Sequence, residues 1–322
     1  MRCRIIGCQW SLVRSLQEMQ TFPDRLVAAI RQRGNPCVIG LDPRIELMPA
    51  FLKSGRPDTR ETARSIIADF HDLVLDTVGS LIPAVKPQLA FFEQYGIPGM
   101  QAFEETLAAS KKRGLLVIAD AKRNDVSSTA EAYAKAYLSD QAFDADAMTV
   151  TPYLGRDSLT PYVAECAKHG KGLLVVLKTS NPGSRDFQDL PLRSTGQPLY
   201  ESIAAMIDDL GKDLVGESGY SSIGAVVGAT FPDDARRLRS LMPRAFILAT
   251  GYGAQGASVE GTSACFNSDG LGAIVPSSRG ITYAHRDQNI TKQAFVQLVR
   301  DNTLRMIDEI TRGIPVSALS AR

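Results

Sequence analysis

Short apolar runs rich in β-branched residues alternate with longer amphipathic stretches along almost the whole of this chain. The runs are Cys37 to Asp42, Ala84 to Lys86, Leu115 to Lys122, Ala147 to Pro152, Gly172 to Ser180, Ile223 to Thr230, Ala245 to Gly251 and Ala273 to Ser277. Between them, apolar positions recur at helical spacing over Thr62 to Leu81, Met100 to Arg113, Ser128 to Leu138, Asp157 to His169, Pro198 to Leu210 and Asp233 to Ser240, with a last helix near Lys292 to Thr311. One more helix is predicted from Phe22 to Arg33, capped by Thr21, with Pro23 in its first turn and Gly34 ending it. Runs that are apolar nearly throughout suit strands covered on both faces. Alternation of this kind makes a parallel sheet, and eight units predict an α/β chain closed as a (β/α)8 TIM barrel in a single domain.

Residues 21–322 are assigned to that barrel, since no linker and no repeat beyond the βα unit breaks them. Residues 1–20 read as an N-terminal extension: Arg2, Arg4 and Arg14 face one acid, Glu18, and Gln9 and Ser11 interrupt an apolar stretch too short for a membrane span. The longest irregular piece, Asn181 to Gln197, follows the fifth strand and is either a lid or a surface insertion.

Composition narrows the function classes. An apolar fraction of 44% over 322 residues supports a large core. A net charge of +1 leaves neither a nucleic-acid footprint nor a membrane-surface patch, which points to a small-molecule partner. Cys3, Cys8, Cys37, Cys166 and Cys265 are odd in number and form no CxxC pair, so free thiols in a reducing, cytoplasmic setting are expected. His71, His169 and His285 are too scattered to suggest a metal centre. No metal and no cofactor are called for.

In such a barrel the active site lies at the C-terminal mouth, so the residues that end each run matter most. The first run ends in Asp42, the second in Lys86, and the third in Asp120, Lys122 and, on the loop beyond, Asp125. The fifth ends in Lys178, Thr179 and Ser180, the seventh in Gly251, Gly253 and Gln255, and the eighth in Ser277, Ser278 and Arg279. Asp120 and Lys122 are two apart and share a strand face. In a poorly hydrated site, carboxylate and ammonium interact by roughly 4 kcal/mol at 4 Å for an effective dielectric near 20, enough to act on charge developing in a substrate. Gly251 to Gly256 also satisfies GxGxxG, but it sits on the seventh strand, where barrels cradle phosphate; Gln255 and Arg279 fit that role. A phosphorylated substrate is therefore expected.

With these exits laid out, the chain resembles the orotidine 5′-phosphate decarboxylase family, most closely its longer bacterial branch. The resemblance runs from about Thr21 to the C-terminus through LDPR (Leu41 to Arg44), VKPQLAFFE (Val85 to Glu93), DAKRND (Asp120 to Asp125), TSNPGS (Thr179 to Ser184), GAQG (Gly253 to Gly256) and SSRG (Ser277 to Gly280). It implies a charged tetrad of Lys86, Asp120, Lys122 and Asp125, with Asp125 entering the partner subunit's site in a homodimer. Asp42 and Lys86 would hold ribose hydroxyls, Thr129 would reach the ribose of the partner's ligand, Ser180 would bond the pyrimidine, and Gln255 and Arg279 the phosphate. The implied reaction is loss of carbon dioxide from C6 of orotidine 5′-monophosphate, with Lys122 stabilising and then protonating the carbanion. Asn124 stands where that branch commonly has Gly, and it is expected to accept a left-handed backbone there.

Three other readings share parts of this pattern. Metal-dependent sugar-phosphate lyases on the same scaffold share DxKxxD but resemble this chain less at Lys86, where they need an acidic ligand. A Schiff-base aldolase needs a neutral lysine, which flanking carboxylates oppose. A catalytically silent nucleotide-binding barrel is the third, and an intact tetrad argues against it.

Overall fold

A computed structural model describes residues 20–57, 59–253 and 259–314. Its eight strands are β1 (Cys37–Leu41), β2 (Ala84–Pro87), β3 (Leu116–Arg123), β4 (Ala147–Val150), β5 (Gly172–Lys178), β6 (Ser221–Gly228), β7 (Ala245–Thr250) and β8 (Ala273–Ser277). Each pairs in parallel with its neighbours in chain order, and β1 closes on β8 through Cys37↔Val275, Val38↔Pro276 and Ile39↔Ser277. The (β/α)8 barrel expected from the alternation is the observed architecture. Several strands stop a residue or two before the apolar run does, because the ladder ends where Asp42, Thr179 and Ser180 turn toward the mouth.

The long helices fall where the periodicity puts them. Helix α1 (Phe22–Arg33) has the predicted ends, with Gly34 in the left-handed region at φ 69°. Thr21 differs from expectation: its hydroxyl donates to Asp24 at 2.6 Å and accepts no backbone N–H as a cap. Thr59 and Thr291, by contrast, do accept from Thr62 N and Ala294 N, each at 3.2 Å. Short helices at Ala50–Lys53, Ala90–Glu93, Val259–Ser263 and Arg279–Thr282 went unpredicted, being too brief to show a period.

Helix α1 closes the barrel's N-terminal end. The Phe22 ring lies 2.2 Å from where a Cβ on Gly172 would stand, so only glycine at the start of β5 lets that ring seat. Arg25 pairs with Asp146, whose other oxygen accepts from Val117 N at 2.9 Å. One continuous apolar core fills the barrel and the space beneath its helices, leaving the opposite mouth for polar groups. Residues 1–19 of the expected extension lie outside the described residues. Among the described residues no helix is long and apolar enough to cross a membrane.

Candidate active site at the barrel mouth

The C-terminal ends of the strands surround a cavity of about 390 Å³, a volume suited to a small ligand. Asp42, Lys86, Asp120, Lys122, Ser180 and Arg279 all line it, as the strand exits predicted. Gly40 admits β8's exit: a Cβ there would meet Ser278 Cβ at 2.7 Å. A larger cleft of about 470 Å³ lies between Ile45 and Tyr95, but it holds no comparable charge array. Its Arg56 is spent on Asp69 and its Lys53 on the Ile45 carbonyl.

Asp120 is the hub. It is 5% exposed, and its carboxylate accepts from four donors: Lys86 Nζ at 2.6 Å and Gln88 Nε2 at 3.0 Å on Oδ2, Lys122 Nζ at 2.6 Å and Thr149 Oγ1 at 2.9 Å on Oδ1. Burial alone would raise its pKa; the Lys86 and Lys122 ammoniums overcome that and hold the carboxyl well below the usual range. Lys86 is treated likewise. Burial disfavours its charge, yet the Asp120 and Asp42 carboxylates outweigh burial and raise its pKa. Both groups are therefore ionised at neutral pH. Both ammoniums line the cavity, and Lys122 is the more exposed, 44% accessible at its side chain against 11% for Lys86.

Asp42 Oδ1 and Ser278 Oγ are buried without a hydrogen-bond partner among the described residues. Such atoms are costly in a free protein and suit a ligand's hydroxyls. Arg279 is exposed at the rim and forms no ion pair with any described residue. Before it, the loop after β7 turns through Gly251 at φ 102° and Gly253 at φ 71°, a backbone that only glycine adopts without strain. Gln255 lies outside the described residues, so its expected phosphate contact has no geometry here.

Some predicted positions behave differently. Asp125 and Thr129 do not line their own chain's cavity; Asp125 Oδ1 accepts from Val126 N at 2.8 Å, and Thr129 is exposed near the start of the helix Ser127–Leu138. Lys178, grouped with the strand exits, is buried away from the cavity. It pairs with Asp189 and lies 5.1 Å from the Tyr200 ring, since a cation at that depth needs an acid that folds back over it. Asn124 is not left-handed. The left-handed residue of that segment is Lys122 itself, at φ 46°.

Sequence reasoning missed Gln88 and Thr149. Gln88 shares the strand parity of Lys86, a signal that was available; Thr149 is a lone polar residue in the otherwise apolar β4. The loop after β5 is tied to the mouth: Thr179 N donates to Gln188 Oε1 and Gln188 Nε2 to Thr179 Oγ1, both at 2.9 Å.

The family model described as Orotidine 5'-phosphate decarboxylase / HUMPS family matches residues 39–294. This chain belongs to that family. It is 41% identical over 302 residues to the orotidine 5'-phosphate decarboxylase of Rhodopirellula baltica, covering 91% of this chain and 99% of that one. The enzyme of the same name from Caldicellulosiruptor saccharolyticus is 38% identical over 281 residues, covering 84% and 92%. Among solved structures, the OMP decarboxylase of Leishmania donovani superposes with a TM-score of 0.71 at 28% identity, over 91% of this chain and 98% of that chain.

Proposed function

We propose that this family member decarboxylates orotidine 5′-monophosphate to uridine 5′-monophosphate at the barrel mouth. The observation that carries the reading is two lysine ammoniums gripping opposite oxygens of one buried carboxylate on the cavity floor. Asp120 and Lys86 stay ionised near neutral pH, so they act on the substrate by fixed charge.

In this reading the phosphate is held by Arg279 and Gln255, the ribose by Asp42 and Lys86, and the pyrimidine by Ser180. The C6 carboxylate then lies against Asp120. The C6–carboxyl bond breaks, carbon dioxide leaves, and the bonding electron pair stays on C6, beside the Lys122 ammonium. Lys122 Nζ stabilises that pair and delivers its proton to C6, giving product and a neutral amine that solvent reprotonates. Closure of the 181–197 loop over the nucleotide excludes water.

Asp125 and Thr129 take their part in the site of a second copy, in a homodimer. Exposed Ile97, Val126, Tyr153 and Leu154 support this, following three adjacent strands on the same rim as both residues. The catalytic unit is residues 21–322, and a reducing compartment such as the cytoplasm suits Cys37, Cys166 and Cys265, all buried and unpaired. A metal-dependent sugar-phosphate reaction fits less well, because the Lys86 ammonium would repel a cation next to Asp120.

The test is consumption of orotidine 5′-monophosphate by the purified protein in EDTA, followed by absorbance. Turnover indifferent to the chelator is expected. Nucleotide binding without turnover would favour a silent barrel, and activity that needs added magnesium would favour the metal-dependent reading.

A further inference from the structure

We propose that Thr149 is a positioning residue, whose single hydroxyl sets where Lys122 stands relative to Asp120; the inference rests on the decarboxylase reading above. The β3–β4 register runs Ala119↔Met148 and resumes at Arg123↔Val150. Asp120, Ala121 and Lys122 thus stand opposite Thr149 alone, a bulge of the kind that re-aims side chains beside active sites. At the bulge Lys122 adopts φ 46°, a conformation a lysine holds only when its surroundings impose it.

Thr149 supplies the constraint. Lys122 N–H donates to Thr149 Oγ1 at 3.0 Å, and because an amide can only donate, the hydroxyl proton is left for Asp120 Oδ1 at 2.9 Å. Lys122 Nζ bonds the same Oδ1 at 2.6 Å. The backbone and the ammonium of one residue are thereby tied to one oxygen, directly and through Thr149. The residue is fully buried, so no solvent substitutes for it. Packing alone would be served equally by valine; both capacities of the hydroxyl are instead spent on the segment that performs the chemistry.

Removing the hydroxyl leaves Asp42, Ser180 and Arg279 in place, so ground-state binding survives while the proton donor loses its aim. Thr149→Val is expected to lower kcat roughly 10- to 100-fold, with KM changed less than about threefold. Thr149→Ser keeps the hydroxyl and should restore kcat to within about threefold of wild type. Binding of uridine 5′-monophosphate, read by calorimetry, should match wild type in both variants. If the valine variant does not fold, Thr149→Ala against Thr149→Ser carries the same comparison. Unchanged kcat in the hydroxyl-less variant overturns the proposal; so does a serine variant as impaired as the valine one, or a loss of product binding parallel to the loss of kcat. A wild type inert toward orotidine 5′-monophosphate fails the decarboxylase reading itself, and this proposal with it.

Discussion

Lys122 Nζ lies 2.6 Å from Asp120 Oδ1, two residues back on the same strand. The other carboxylate oxygen lies as close to Lys86 Nζ, so Asp120 separates two like charges that would otherwise face each other across the cavity. Asp120→Asn removes the separating charge. The expected cost is about 3–5 kcal/mol of stability, read from the urea midpoint, because the buried Lys86 ammonium loses the carboxylate it is bonded to. Its pH dependence has a definite sign. Asp120 titrates lower folded than unfolded, so its contribution is present above about pH 4 and is lost as pH falls below that. Lys86 titrates higher, so its contribution is present below about pH 10 and is lost as pH rises beyond. Between those limits the pair contributes no slope.

The barrel was legible in the chain because each strand is apolar on both faces and each helix on one, which leaves few ways to bury them all. The mouth was legible because Lys86 and Asp120 end runs too apolar to tolerate an unpaired charge. What escaped depends on backbone detail. Nothing in a threonine within Ala147–Val150 shows that the facing strand bulges there, and nothing at Lys178 shows that Asp189, eleven residues on, folds back over it. Residue preference points to Asn124 for the left-handed turn, whereas tertiary bonds impose it on Lys122.

His71 gives a separate pH signature. It is fully buried against Phe70 and Phe92, with Nδ1 2.9 Å from Thr106 Oγ1, and burial pushes its pKa down to about 3. Between about pH 6.5 and 3 the unfolded chain binds a proton there that the folded chain refuses, so stability falls with pH by up to roughly 1.4 kcal/mol per unit. Urea titrations of wild type and His71→Gln across that range should differ in slope, the variant being flatter.

The loop after β5 depends on the buried Lys178. Asp189→Asn strips that cation of its partner and should loosen 181–197, raising KM more than it lowers kcat and speeding proteolysis within the loop. Lys178→Met, which removes the charge with the pair already broken, should recover part of the loss in the double variant.

Sharing of the site between subunits is open to complementation. Asp125→Ala and Lys122→Ala are each expected to be inactive alone. Mixed in equal amounts under exchange, they should regain about a quarter of wild-type activity, since statistical pairing gives hybrids with one intact site. No recovery would place Asp125 in its own chain's site.

The most direct measurement is single-turnover decarboxylation of orotidine 5′-monophosphate by Lys122→Ala beside wild type, with uridine 5′-monophosphate affinity measured on both. The role proposed for Lys122 requires a rate lowered by at least about 10³ with product still bound, since its ammonium acts on charge that appears only as the bond breaks. Decarboxylation by the variant at near the wild-type rate would contradict it.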